Sequence, residues 1–251
     1  MRIKTFFFAL GCVLLCSGCV FIGNGTANRT KMQILPPECI EIRGDWHVEI
    51  ICNAAEDSLE SVIDENLRDY AQIKSGGKLK VSLPSRLNAM VLPTLKIYLK
   101  NSFNELLLGN KSVCKVINFK SDKKLELEIE DNAVCSFVNL NAGNIQTELS
   151  DKSKLALKGK VKNLTAEVEN RAVLEADEVE NLTIEASDNA VCRIQKCVSA
   201  DVEAQDSAVI IFKQVKGIRQ KVKNNARIDY PVNIPEALKK GNSLNFKVLH
   251  K

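Results

Sequence analysis

The sequence predicts an all-β chain: a right-handed parallel β-helix (solenoid) of about seven 18–21-residue coils, with an irregular N-terminal β cap. Three observations predict it. First, an Asp or Asn recurs two residues before an Ala or Ser, at Asn110, Asp131, Asp151, Asn170, Asp188, Asp206 and Asn224, with successive spacings of 21, 20, 19, 18, 18 and 18. Second, apolar residues alternate with polar ones on both sides of each Asx, as in Leu182-Thr183-Ile184-Glu185-Ala186-Ser187-Asp188-Asn189-Ala190-Val191-Cys192-Arg193-Ile194. That is the period-two signature of strands with one buried face. Third, β-branched residues and Asn run throughout, so helical propensity is poor.

Met1–Gly18 reads as a lipoprotein signal peptide. Arg2 and Lys4 supply a positive start, and Phe6–Leu15 is an apolar run too short to span a bilayer. It ends in Leu15-Cys16-Ser17-Gly18-Cys19, similar to the lipobox of bacterial lipoproteins, which makes Cys19 the lipidation residue. Cleavage and release without lipid is the alternative. Val20 follows, so the Asp that commonly retains lipoproteins at the inner membrane is absent, and the expected address is the outer membrane. Residues 19–37 read as a flexible tether, because Gly23-Asn24-Gly25-Thr26-Ala27-Asn28 offers little apolar surface to bury.

Residues 38–103 lack the repeat but contain strand-like runs at Cys39–Arg43, Trp46–Cys52, Lys78–Leu83 and Leu95–Lys100, with a short helix near Asp64–Gln72. They form the expected N-terminal cap, since the end coil of a solenoid must be covered. Residues 104–230 are the repeat β-helix. Residues 231–251 close the other end, with Leu244–Leu249 as a last strand.

Stacking the coils turns sequence positions into columns. The seven Asx form a corner column, read first as turn chemistry through bonds to nearby backbone. Cation binding is the alternative, although three of the seven are Asn and no Ca²⁺-repeat motif accompanies them. Glu128, Glu148, Glu167, Glu185 and Glu203 form a second, outward column. Like charges about 5 Å apart repel, so this column either keeps an exposed sheet soluble or forms a binding face for cations or a basic partner. The Val after each Ala or Ser (Val113, Val134, Val173, Val191, Val209) either rotates into the core or makes an outward apolar stripe.

Of nine cysteines, six remain once Cys12 and Cys16 leave with the leader and Cys19 is lipidated. Cys39, Cys52, Cys114, Cys135, Cys192 and Cys197 are either buried free thiols or bridged pairs: Cys114 and Cys135 sit at about bridging separation in adjacent coils, Cys39 and Cys52 would face each other if Asp45-Trp46 turned a hairpin, and Cys192 and Cys197 share one coil. Catalysis has little footing. The only histidines are His47 and His250, neither with ligand spacing, and no phosphate loop or metal motif is present. A net charge of +4 without clustered Lys/Arg and aromatics excludes a nucleic-acid face.

The run Ile40-Glu41-Ile42-Arg43-Gly44-Asp45-Trp46-His47-Val48-Glu49-Ile50, the later Gly77-Lys78-Leu79-Lys80-Val81 and the repeated corners up to Tyr230 resemble the head GIN domain of auto-transporter adhesins. In this chain the corners carry Asp-Asn-Ala-Val or a variant in place of Ser-Gly-Ser-Gly. The resemblance implies a right-handed β-helix outside the cytoplasm, with an adhesive or structural role and no established catalysis. The expectation is therefore a non-enzymatic module of the cell envelope, without metal or cofactor. It would be held at a membrane by its N-terminal lipid and bind a polysaccharide or an envelope protein. The competing expectation is a polysaccharide lyase or hydrolase on the same scaffold.

Overall fold

The computed structural model describes residues 20–84 and 87–231. The N-terminal strands are β1 (Phe21–Ile22), β2 (Ala27–Gln33), β3 (Cys39–Arg43), β4 (His47–Cys52) and β5 (Ser58–Asp64). A 3₁₀ turn over Glu65–Tyr70 leads into β6 (Gln72–Lys74), β7 (Lys78–Ser82), β8 (Leu87–Asn88) and β9 (Thr94–Leu99). The repeats supply β10 (Glu105–Leu108), β11 (Val113–Ile117), β12 (Lys120–Ile129), β13 (Val134–Leu149) and β14 (Lys154–Val168). They continue through β15 (Val173–Ala186), β16 (Val191–Ala204), β17 (Val209–Val222) and β18 (Arg227–Asp229).

From β10 to β18 every pairing is parallel and joins a strand to its copy in the next coil, which gives a β-solenoid of about seven turns. The pairing rows define two long sides that meet at the Asx corner. The strand before the corner forms side A, including Glu128↔Glu148 and Glu148↔Glu167. The strand after it forms side B, including Val113↔Val134 and Cys114↔Cys135. A short third side carries Lys160↔Glu178 and Glu178↔Lys196. Inward positions are filled by Cys114, Cys135, Leu155, Leu174, Cys192 and Ile210, all nearly inaccessible. Phe103, Phe119 and Phe137 stack edge to face down the interior, with centroids 5.2 and 5.7 Å apart.

The corners explain the repeat. All seven Asx residues have φ between 56° and 62°, the left-handed region that Asn and Asp tolerate best after Gly. Sequence reading expected these side chains to bond nearby backbone; those of Asn110, Asp131, Asp151 and Asp188 instead reach across to the corner of the preceding coil, and Asn224 Nδ2 bonds the Asp206 carboxylate at 2.7 Å. Asp131 Oδ2 accepts from the Asn110 N–H at 2.8 Å, Asp151 Oδ2 from Asp131 at 3.3 Å and Asp188 Oδ2 from Asn170 at 3.3 Å. The Ala or Ser two residues on is completely buried in six of seven coils, which is why the position is small. An eighth corner escaped the sequence pattern. Gly44 (φ 103°) stands where an Asx would, and its N–H donates to Asn110 Oδ1 at 2.9 Å. Trp46, fully buried, takes the place of the Ala.

The shrinking period also has a location. Pairing offsets fall from 21 to 20 between Ser121 and Lys124, from 20 to 19 across Asn139, and from 19 to 18 between Leu157 and Lys160. Each step is a one-residue irregularity beside the short side. Two of the residues involved, Asn139 (φ 58°) and Gly159 (φ 142°), occupy positive φ.

The N-terminal cap is not the next coil in sequence order. Strands β3 and β4 lie between β7/β9 on one side and β10/β11 on the other. Antiparallel β5 and β2 extend the sheet beyond β9, and β6 pairs antiparallel with β7. The four strands read from sequence are present within a residue or so at each end, and the helix expected near Asp64–Gln72 is the 3₁₀ turn. The tether is a correction. Residues 20–37 hold β1, parallel to β8, and β2, antiparallel to β5, because Asp64 and the edge of β5 supply backbone partners that composition cannot show. The expected strand Leu244–Leu249 and the leader with Cys19 lie outside the described residues. No helix among the described residues is long and apolar enough to cross a membrane.

Candidate functional site

Side A presents the Glu column in register. Glu128, Glu148, Glu167 and Glu185 are exposed and occupy successive rungs, and Glu203, half-buried, follows in the next. Parallel rungs lie about 4.8 Å apart. The column ends at Lys221, which faces Glu203 and bonds it at 2.9 Å, while Lys223 bonds it at 2.6 Å. Those bonds, Lys223 foremost, hold the Glu203 carboxyl below the usual carboxylate range. At the other end Leu107 precedes Glu128, and beyond it sits the nearly buried Glu41 with Lys78 at 2.9 Å and Lys80 at 3.0 Å. Among the described residues no cation pairs with Glu128, Glu148, Glu167 or Glu185. Two depressions of about 80 Å³ follow the column, one lined by Glu105, Glu126, Glu128 and Glu148, the other by Glu167, Glu169, Glu185 and Glu203.

Other outward columns are arranged differently. On the short side Lys160, Glu178 and Lys196 alternate, with Glu178 to Lys196 at 3.0 Å. On side B the sequence is Lys96, Glu49, Lys115, and later Glu175 with Arg193. Opposite charges on adjacent rungs are the ordinary way to stack charged residues. The Glu column of side A stacks one sign from Glu128 to Glu203.

The corner column lines an open groove of about 410 Å³, formed by Asp131, Asp151, Asn170 and Asp188 with the residues that follow them, Asn132, Lys152, Arg171 and Asn189. The carboxylates of Asp131, Asp151 and Asp188 are already engaged by backbone N–H groups. Among the described residues no group of three His, Cys, Asp or Glu side chains is placed to hold a metal ion.

Residues 36–213 match the family described as "Putative auto-transporter adhesin, head GIN domain". The chain belongs to this family. Solved structures share its fold. One is a putative adhesin from Parabacteroides merdae (14% identity, TM-score 0.59, covering 83% of this chain and 97% of the other). A second is a putative lipid binding protein from Parabacteroides distasonis (16%, TM-score 0.60, 83% and 98%). A third is a putative adhesin from Bacteroides fragilis (15%, TM-score 0.59, 83% and 98%). No curated protein sequence matches the chain.

In this head GIN domain the other sequence candidates fall as follows. The Val stripe is the outward alternative: Val113, Val134, Val173, Val191 and Val209 are partly exposed and point away from the core, interrupted by Lys154. His47 sits exposed at the start of β4, and His250 lies outside the described residues. The six described cysteines are buried and free. Burial pushes the thiols of Cys52 and Cys192 up to about 12 and those of Cys39 and Cys197 to about 11. The thiol of Cys135, in register with Cys114, is also raised, by burial and then by its bond to Cys114. Sequence reading missed two Asn ladders. Asn181 Nδ2 donates to Asn163 Oδ1 at 3.0 Å and Asn163 to Asn144 at 2.8 Å, while Asn139 donates to Asn118 at 3.0 Å. Their spacings of 18 to 21 residues were the available signal.

Proposed function

We propose that this head GIN domain is a lipid-anchored, non-enzymatic binding module of the cell envelope whose Glu column receives a positively charged partner. One observation carries the reading. The charged columns of the short side and of side B alternate in sign, whereas Glu128, Glu148, Glu167 and Glu185 stack one sign on four successive rungs with no cation bonded to them among the described residues. Each neighbouring pair costs about 0.9 kcal/mol at the dielectric of water, a cost that an arriving cationic group removes. Membership in an adhesin-head family supports an envelope location and a binding role. The partner is an envelope polymer, either an amino-bearing polysaccharide or a basic segment of an envelope protein.

The test is an array of amino-bearing and neutral glycans and Lys-rich peptides, probed with the mature protein. Hits should weaken with added salt and be lost in Glu167→Gln/Glu185→Gln. Binding indifferent to both changes would remove the Glu column from the site. Product released from any bound glycan would overturn the non-enzymatic reading. Radioactive palmitate labelling reads the anchor separately, since Cys19→Ala should abolish it.

A further inference from the structure

The sequence pictured a loose tether between Cys19 and the body, but the chain already pairs with the cap at Phe21. Strand β1 pairs with β8 through Phe21↔Leu87 and Ile22↔Asn88. The Gly23 N–H donates to Asn88 O at 2.9 Å. Beneath this pair lies Asp64, completely buried, whose carboxylate gathers both segments. Its Oδ1 accepts from Gly25 N–H at 2.7 Å, and its Oδ2 accepts from Met90 at 2.9 Å and Val91 at 3.0 Å. Gly23 backs directly onto the same carboxylate, with no room for a side chain.

Asp64 therefore fixes two loops side by side, and both carry apolar residues left exposed by the rest of the described residues. Val20 is 55% exposed, Ile22 60%, Met90 70% and Leu92 55%. Tyr70, its ring 4.2 Å from that of Phe21, lies beside them half in water. Four of the eight exposed large hydrophobic residues among the described residues thus fall in two short segments held by one side chain. Consecutive Cα atoms are about 3.8 Å apart, so an acyl anchor on Cys19 would leave the protein immediately beside this patch.

We propose that Val20, Ile22, Met90 and Leu92 form a membrane-docking surface that inserts into the lipid headgroup boundary beside the acylated Cys19. This proposal rests on the anchored reading above. The lipid supplies attachment and the patch supplies orientation, so the N-terminal cap faces the bilayer and the domain is held rather than swinging on a leash. Exposed aliphatics flanked by a tyrosine suit the membrane interface, where one end of a side chain is apolar and the other wet.

The test uses the lipidated protein in phosphatidylethanolamine/phosphatidylglycerol vesicles containing brominated acyl chains, which quench only fluorophores that reach them. A dye is placed at Met90→Cys or Leu92→Cys, with Asn225→Cys as the distant control. Quenching at 90 and 92 but not at 225, lost for Met90→Cys in an Ile22→Ser/Leu92→Ser background, is the expected result. Palmitate incorporation without quenching at 90 or 92 overturns the docking surface and leaves the anchor standing. Quenching without palmitate incorporation overturns the anchor, and with it the docking surface as an adjunct to an acylated Cys19. Unquenched labels in a protein that dimerises through these residues would make a second copy the occupant and overturn the proposal.

Discussion

A corner residue in this solenoid does two jobs with one short side chain. It tolerates a left-handed backbone, and it accepts a hydrogen bond from the corner one coil earlier. Asp188 shows both, with φ 57° and its carboxylate on the Asn170 N–H. Ala at this φ costs about 1–2 kcal/mol, and the lost bond adds about 1 kcal/mol. Asp188→Ala should therefore lower stability by about 2–3 kcal/mol in urea denaturation. Asp188→Gly should lose only the bond, and Asp188→Asn should be nearly neutral. If Asn proved as damaging as Ala, the column would matter for its charge instead of its geometry. The same reasoning shows why Gly44 can stand at the eighth corner where the others carry an Asx. Glycine reaches positive φ through a missing Cβ, and Asx reaches it with a side chain that bonds across coils.

At the scale of elements, the parallel coils and the cap differ in what made them legible. Coils β12 to β17 pair with partners 18 to 21 residues away, so periodicity alone placed them. Strand β3 pairs with β10, 66 residues on, and with β7, 39 residues on. No period connects those, and the corner there is Gly44-Asp45-Trp46, which shares no residue type with Asp-Asn-Ala at its first and third positions. The antiparallel strand β2 was missed for a related reason. Ala27–Gln33 is polar and mostly exposed, ordered by the edge of β5 rather than by its own burial. The Glu column was readable because it is periodic, whereas its missing counter-charges required the registers of every other column. Asp64 offers the test of the cap. Asp64→Ala would remove the carboxylate acceptor that the N–H groups of Gly25, Met90 and Val91 share in a part-buried setting, each bond to a charged group contributing about 1.5–3 kcal/mol at most. Amide exchange should accelerate across residues 20–26 and 88–91 while β13 to β16 stay protected. Uniform acceleration would mean that the cap and solenoid unfold as one unit.

The whole molecule behaves as a closed core with one unbalanced face. Its closure is checked through the thiols. Reaction requires an accessible thiolate; burial pushes the thiols of Cys39, Cys52, Cys192 and Cys197 up to about 11 to 12, and all six described cysteines are enclosed in the core. The six described cysteines should resist alkylation at pH 8 and react together only on unfolding; four reactive thiols after unfolding would reveal a bridge, Cys114–Cys135 being the register pair.

The unbalanced face gives the last prediction, in which stability and binding move in opposite directions. Glu167 stands between Glu148 and Glu185, all three exposed and without cations among the described residues. Glu167→Lys turns two like-charge contacts into two opposite ones, the arrangement that Lys160, Glu178 and Lys196 already have on the short side. Exposed cross-strand pairs of this kind contribute about 0.2–1 kcal/mol, so the variant should be more stable than the parent by about 1 kcal/mol at low ionic strength. The gain should shrink at 1 M salt, where the screening length is about 3 Å. The same variant should lose the cationic partner. A stabilised protein that still binds would assign the column to solubility, and a protein neither stabilised nor impaired would show that the carboxylates splay into water and do not interact. Opposite changes in stability and binding are expected of a face kept unpaired for an external partner, because the repulsion stored along the column is relieved by complex formation.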